Sequence, residues 1–325
     1  MATVRLEPAA KMKHMINRSA CNWRSTRLLE FGFWPTAACL FLFTFCPLGA
    51  SAKAAALTDQ EKAIVGELKG LRGVPDDKRG DVTKGIALEI RKLPADGAKV
   101  GLANSLANLS TEGDFGHDTL QEVATTLAET LREQPSQENQ PYLELAQLVR
   151  YEHVQVSLHS AQLMAAMSTL ETNDRDRQQA NFTLTDLNGK QWTLKDLRDH
   201  VVLVNFWATW CPPCRKEMPD LDALYQRYKD QGLIVLAISD EEPAKVTAYL
   251  ADHGVSYPIL LDPGRKVNEE FHVDGIPKSF VYDRQGKLVA QAIDMRTRTQ
   301  FLELLCHAGL AAGIPMAGAV ASPEQ

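Results

Sequence analysis

From residue 57 to about 172 the apolar positions recur at helical spacing. Thr58-Asp59-Gln60-Glu61 has the form of a capping box, with Ile64, Leu68 and Leu71 on one face behind it. Further helices are predicted over 82–93 (stopped by Pro94), 98–109, 117–132, 142–151 and about 153–170. Leu120, Val123, Leu127 and Leu131 form the clearest stripe. Gly73, Pro75, Gly113, Gly116, Pro135 and Pro141 punctuate the boundaries. The pattern predicts a helical bundle over 53–172 whose plainest role is that of a scaffold or spacer.

The polar, charge-rich stretch 171–179 (ETNDRDRQQ) reads as a linker, placed at 173–180. Beyond it the period changes. Phe182, Leu184 and Leu187 lead into Asn188-Gly189, a two-residue hairpin turn, from which Trp192 and Leu194 return. The run 201–207 (VVLVNFW) is nearly all apolar, as a strand buried on both faces requires, and 233–238 (LIVLAI) repeats the pattern. A helix over 212–229 joins them, so the two strands should be parallel. A helix at 243–253, a short strand at 258–261, strands at 279–282 and 288–291, and a closing helix at 298–307 complete the expectation. This is an α/β domain over 181–310: a mixed sheet, parallel first and antiparallel last, with helices on both faces. Residues 311–325 read as a flexible C-terminal tail.

Composition adds an export signal. The 325 residues are 45% hydrophobic and 23% charged, as in an ordinary globular protein. A basic stretch reaching Arg27 precedes the apolar run 31–50 (FGFWPTAACLFLFTFCPLGA). Pro47 and Ala50-Ser51-Ala52 then give the pattern a signal peptidase reads. Residues 1–52 are therefore expected to be a signal peptide, or an anchor tethering the protein to the membrane through 31–50. That segment holds six Lys/Arg against two Glu, which leaves −10 on the remainder of a chain whose net charge is −6. A body this acidic excludes nucleic acid as a partner. With Cys21, Cys39 and Cys46 in the targeting segment, the exported body keeps Cys211, Cys214 and Cys306. That is one close pair and one further thiol, not a disulfide framework.

Trp210-Cys211-Pro212-Pro213-Cys214 stands where the first buried strand passes into its helix. A helix N-terminus, with unpaired N–H groups and a positive dipole end, favours the reactive thiolate. Pro212 and Pro213 suit the first turn, where a missing N–H is not needed. Cys211, expected at an exposed lip, is the predicted nucleophile and Cys214, one turn in, the resolving thiol. Trp207 is expected in the core and Trp210 on the substrate surface. Cys306 reads as a buried core thiol. No metal and no organic cofactor is expected, the electrons residing in a redox-active Cys211–Cys214 disulfide.

Residues 205–219, NFWATWCPPCRKEMP, resemble the signature of the TlpA/ResA-type thioredoxin-like disulfide reductases, and the likeness runs from about Asn181 to Ala308. It implies a thioredoxin fold and a cis proline at Pro277 packed against the disulfide. It also implies that Ile276 offers backbone groups to a bound substrate strand. Glu217 matches the family's active-site glutamate and shares a helix face with Cys214, a position suited to tuning thiol pKa or relaying a proton. Taken alone it would be an ordinary solvated carboxylate. Asn205 stands where cytoplasmic thioredoxins carry a buried aspartate. The resemblance further implies exported, cysteine-containing protein substrates, a membrane thiol donor and a role such as cytochrome c maturation. A thiol oxidant or isomerase, a thiol peroxidase, and a helical partner-binding module with an accessory redox domain are the alternatives. The segment Ala208-Thr209-Trp210 lacks the Thr/Ser and Arg pattern that a peroxidase needs.

Overall fold

A computed structural model describes residues 56–95 and 97–310. The expected signal or anchor at 1–52 and the tail at 311–325 lie outside the described residues.

The helical part opens with α1 (Asp59–Gly70). There the Thr58 hydroxyl accepts from the Glu61 N–H, and the Glu61 carboxylate accepts from the Thr58 N–H, closing the capping box. Next come α2 (Asp76–Lys92), α3 (Gly97–Ser110), α4 (His117–Glu133), α5 (Gln140–Tyr151) and α6 (Ala161–Gln179). Their stripes meet in one apolar core that includes Ile86, Ile90, Leu106, Leu127, Leu131 and Leu145, all fully enclosed. Helix α2 starts at 76 rather than 82. Pro75 precedes it, and Asp76 and Asp77 occupy its first turn, where negative charge is favoured.

Two expectations in this half are corrected. Residues 152–160 belong to no helix, so no helix starts at 153. His153 takes a left-handed conformation (φ 58°), and buried or half-buried Val154, Val156 and Leu158 alternate with exposed Gln155 and Ser157. Ser160 then caps α6 by accepting from the Leu163 N–H at 3.1 Å. The second correction concerns the linker. Residues 173–179 continue α6 and are fastened to the sheet. Arg177, 5% exposed, donates to the Phe271 carbonyl at 2.9 Å and to Gln291 Oε1 at 3.1 Å, and its guanidinium lies 4.9 Å from the Phe280 ring centre. The Tyr282 hydroxyl donates to the Arg177 carbonyl at 2.7 Å.

After α6 the hairpin forms as expected from β1 (Thr183–Thr185) and β2 (Gln191–Thr193), with Gly189 at φ 83° in the turn. The main elements are β3 (Val201–Phe206), α7 (Pro212–Tyr228), β4 (Leu233–Ser239), α8 (Pro243–Asp252), β5 (Ile259–Leu261), the short α9 (Lys266–Glu270), β6 (Lys278–Tyr282), β7 (Leu288–Ala292) and α10 (Arg298–His307). The sheet order is β5-β4-β3-β6-β7. Strands β3, β4 and β5 run parallel, while β6 and β7 are antiparallel to their neighbours. This is the thioredoxin fold, preceded by a helical part. Strand β3 is buried throughout, and alternate residues serve opposite faces. Val201 and Leu203 pack with Leu221 of α7 and Phe301 of α10; Val202, Val204 and Phe206 pack with Phe271 and Phe280.

The helical core and the two sheet cores are separate apolar clusters. Polar contacts join them. Thr111 Oγ1 donates to Asp294 at 3.1 Å, and Gln300 Nε2 to the Gly113 carbonyl at 3.3 Å. Lys216 pairs with Asp76 at 3.1 Å, and Arg296 with Glu152.

Candidate active site

Helix α7 begins directly after the loop that leaves β3, and its N-cap residue is Cys211, in extended conformation. Pro212 and Pro213 fill the first turn. Cys211 Sγ is bonded to Cys214 Sγ, with the Cα atoms 5.3 Å apart, and accepts the Cys214 N–H at 3.2 Å. One of the helix's unpaired donors is thereby spent on sulfur, the arrangement that favours a thiolate once the bond is reduced. The loop before the motif is pinned from outside. Thr209 donates through its N–H (2.6 Å) and its hydroxyl (2.9 Å) to the Glu241 carboxylate.

Across from the disulfide lies the loop before β6. Its Ile276–Pro277 peptide is cis, and the Ile276 carbonyl oxygen is 3.8 Å from Cys211 Sγ. Beneath the sulfurs is a small polar network. Asn205, on the same face of β3 as Leu203, donates from Nδ2 to Glu217 Oε1 at 2.8 Å and to Ser279 Oγ at 3.0 Å. Glu217 Oε2 accepts the Arg296 N–H at 3.1 Å. The carboxyl is 2% exposed, and burial raises its pKa to about 8 although these two donors pull the other way. At neutral pH it is mostly a neutral acid beside a dithiol couple, able to give or take a proton.

Comparison with known proteins bears on this arrangement. Thiol-disulfide oxidoreductase ResA of Bacillus thuringiensis (strain Al Hakam) is 41% identical over 121 residues, which are 37% of this chain and 70% of that protein. The chain belongs to the ResA family of thiol-disulfide oxidoreductases. ResA of Bacillus subtilis (strain 168) is 38% identical over 110 residues, 34% of this chain and 62% of that one. A family model described as AhpC/TSA family matches residues 176–291. Among solved structures, a thiol:disulfide interchange protein, a thioredoxin family protein, from Chlorobium tepidum TLS is 29% identical. It covers 39% of this chain and 92% of its own, with a TM-score of 0.36.

Within this ResA-type domain, the structure brings Cys211, Pro212, Pro213, Cys214, Glu217, Ile276 and Pro277 together. Trp210 stands beside them, 66% exposed, and Trp207 is buried. Two expectations change. Cys211 is not at an exposed lip in the disulfide form but 2% exposed, covered by its neighbours and the Ile276 loop. Cys306 is half-buried on α10, not fully enclosed. Sequence reasoning also missed Glu241, Ser279, Asp294 and Arg296. Glu241, Ser279 and Arg296 bond the site across at least 32 residues of chain, Asp294 acts on Glu217 through its charge, and no local spacing marks them.

Proposed function

We propose that this thiol-disulfide oxidoreductase works as a reductase of exported proteins. The reduced Cys211 thiolate attacks one sulfur of a substrate disulfide, and the other substrate sulfur leaves as a thiol. Cys214 then attacks Cys211 Sγ and releases the second substrate thiol, so the Cys211–Cys214 bond forms as the substrate bond breaks. Two electrons and two protons pass to the substrate. Glu217 handles the Cys214 proton. Trp210, Pro212, Pro213, Ile276 and Pro277 form the surface that receives the substrate strand. No metal or organic cofactor enters the cycle, and a membrane thiol donor restores the dithiol.

The observation that supports this most is the disulfide itself: the two sulfurs are joined at the mouth of α7, with Cys211 capping the helix and Cys214 fully buried behind it. The export setting is supported by the basic stretch and the apolar run at 31–50. Equilibration in glutathione buffers, with alkylation reporting the thiols, tests the direction. A reductase is expected near the thioredoxin end of the scale, about −270 mV; a couple near about −120 mV makes the protein an oxidant and overturns the proposal. A Cys214→Ser protein should hold substrates on Cys211 as mixed disulfides.

A further inference from the structure

A cavity of about 330 Å³ opens beside the disulfide, between the helical part and the Ile276–Pro277 loop. Pro213, Ile276 and Asp294 line it on one side, and Arg72, Asn108 and Glu144 on the other. Ile276 thus borders both this cavity and Cys211 Sγ. The helical wall belongs to residues before 176, outside the stretch that the family model matches.

The charges in the wall do not balance. Glu112, Glu144, Asp274 and Asp294 face Arg72 and Lys278. Arg72 is committed to Glu112, its Nε donating to both carboxylate oxygens at 2.8 and 3.1 Å, and Arg79 approaches the same carboxylate at 3.3 Å. Lys278 lies 3.8 Å from Asp274 and donates to the Ile293 carbonyl at 3.3 Å. Glu144 and Asp294 remain, with no cation at ion-pair distance among the described residues. Asp294 accepts only from Thr111 Oγ1 and the Met295 N–H, and Asn108 is the side chain that hydrogen-bonds Glu144. Burial holds Glu144 up at about 7 and Asp294 at about 6. Lys278, whose charge acts on both, lies beyond ion-pair distance of either and is engaged by Asp274 and the Ile293 carbonyl. One buried and one half-buried carboxylate are thus only weakly offset, and a cation entering the cavity relieves both. A metal ion suits the cavity less well, because no cluster of three or more His, Cys, Asp or Glu able to hold one occurs among the described residues.

We propose that this cleft is a specificity pocket for the basic side chain, lysine or arginine, that a protein substrate carries near the cysteine engaged by Cys211. The proposal rests on the exchange reading above. It gives the helical part a direct role in choosing substrates, since Glu144 and Arg72 come from helices that the thioredoxin fold alone does not contain.

The test uses the intact, reduced chain and synthetic peptides. Each peptide holds one cysteine as a mixed disulfide with a coloured aromatic thiol, and either lysine or norleucine at one of the four positions within two residues of it. Release of the aromatic thiol gives kcat/KM. The lysine peptide is expected to exceed its norleucine twin about tenfold at one or more positions, the effect of one charge-assisted hydrogen bond. The ratio should fall toward one in E144Q and, as an independent second variant, in D294N. Equal rates for every pair, or a ratio that both variants retain, overturn the pocket and leave the exchange reading standing. If either variant fails to fold, the wild-type ratio and the remaining variant still decide. No turnover of any peptide overturns the exchange reading itself.

Discussion

Replacing Glu217 by glutamine isolates what burial does to the carboxyl under the disulfide. Glu217 is 2% exposed, and its pKa rises from 4.5 to about 8, chiefly because burial penalises the charge. In the unfolded chain the group releases its proton near pH 4.5, whereas in the folded protein it keeps the proton until about pH 8. Between those values the unfolded state binds fewer protons. The stability linked to this group is therefore complete below pH 4.5 and is lost as pH rises through 8. At about 1.36 kcal/mol per pH unit, the loss between pH 5 and pH 8 is roughly 3–4 kcal/mol.

Glutamine matches the protonated carboxyl in shape, but its NH2 cannot accept as the acid hydroxyl can, so one of the two donors, Asn205 Nδ2 or the Arg296 N–H, loses its acceptor. E217Q should therefore be the less stable by about 1–3 kcal/mol at pH 5, and the difference between the two proteins should move in favour of E217Q by roughly 3 kcal/mol by pH 8. Guanidinium unfolding of the oxidised proteins from pH 5 to pH 8 measures this, with the disulfide intact so that Cys211 and Cys214 do not titrate. Glu144 and Asp294 ionise in both proteins and cancel from the difference to first order. A difference that stays flat across the range would mean that Glu217 is already ionised when folded. The account of the site's electrostatics would then be wrong.

Other perturbations follow from the same contacts. Cys211→Ser should abolish disulfide exchange while leaving the far-UV spectrum intact; residual exchange above the buffer rate would transfer the attacking role to Cys214. Glu241→Ala frees both Thr209 donors and should lower stability by about 1–3 kcal/mol and slow exchange several-fold, read by denaturant titration and peptide reduction; unchanged kinetics would show that the loop needs no such anchor. Arg177→Ala removes the hydrogen bonds to Phe271 and Gln291 and the contact with Phe280. It should cost about 2–4 kcal/mol, and a loss within experimental error would restore residues 173–180 to the status of a linker. Leu127→Ala, in the helical core, should cost about 2–5 kcal/mol; a separate, earlier transition in that variant would show that the helical part unfolds on its own.

Much of this architecture was legible because the signals were local. The capping box at Thr58–Glu61, the Asn188-Gly189 turn, the apolar run of β3 and the span of α10 each depend on residues that neighbour one another in the chain, and each is found where expected. The misreadings share a cause. In 153–158 the alternation of Val154, Val156 and Leu158 was a period-two signal set among helical neighbours, and it was absorbed into the helix. In 173–179 the charges suggested solvent, yet Arg177 is buried because its partners come from Phe271 and Gln291, far along the chain. The active site divides the same way. The helix-capping sulfur pair could be read from Cys211 to Cys214, whereas Arg296, Ser279 and Asp294 reach it through the tertiary fold, which no spacing encodes.

The helical part is held by charge rather than by a shared apolar core, and this bears on what it can be doing. Its Glu152 pairs with the Arg296 side chain, both groups being largely buried, and the backbone N–H of that same Arg296 is what Glu217 accepts. Thr111 likewise donates to Asp294. Cutting the chain before α6 would leave Arg296 and Asp294 without these partners, and removing one member of a buried pair is far more damaging than never having built the pair. An apolar joint would bind as firmly but would leave no ionisable wall beside the disulfide, whereas a polar one places Glu144 and Asp294 next to the loop that meets Cys211. The helices therefore adjoin the redox site twice, at Arg296 below the sulfurs and in the wall of the cleft beside them.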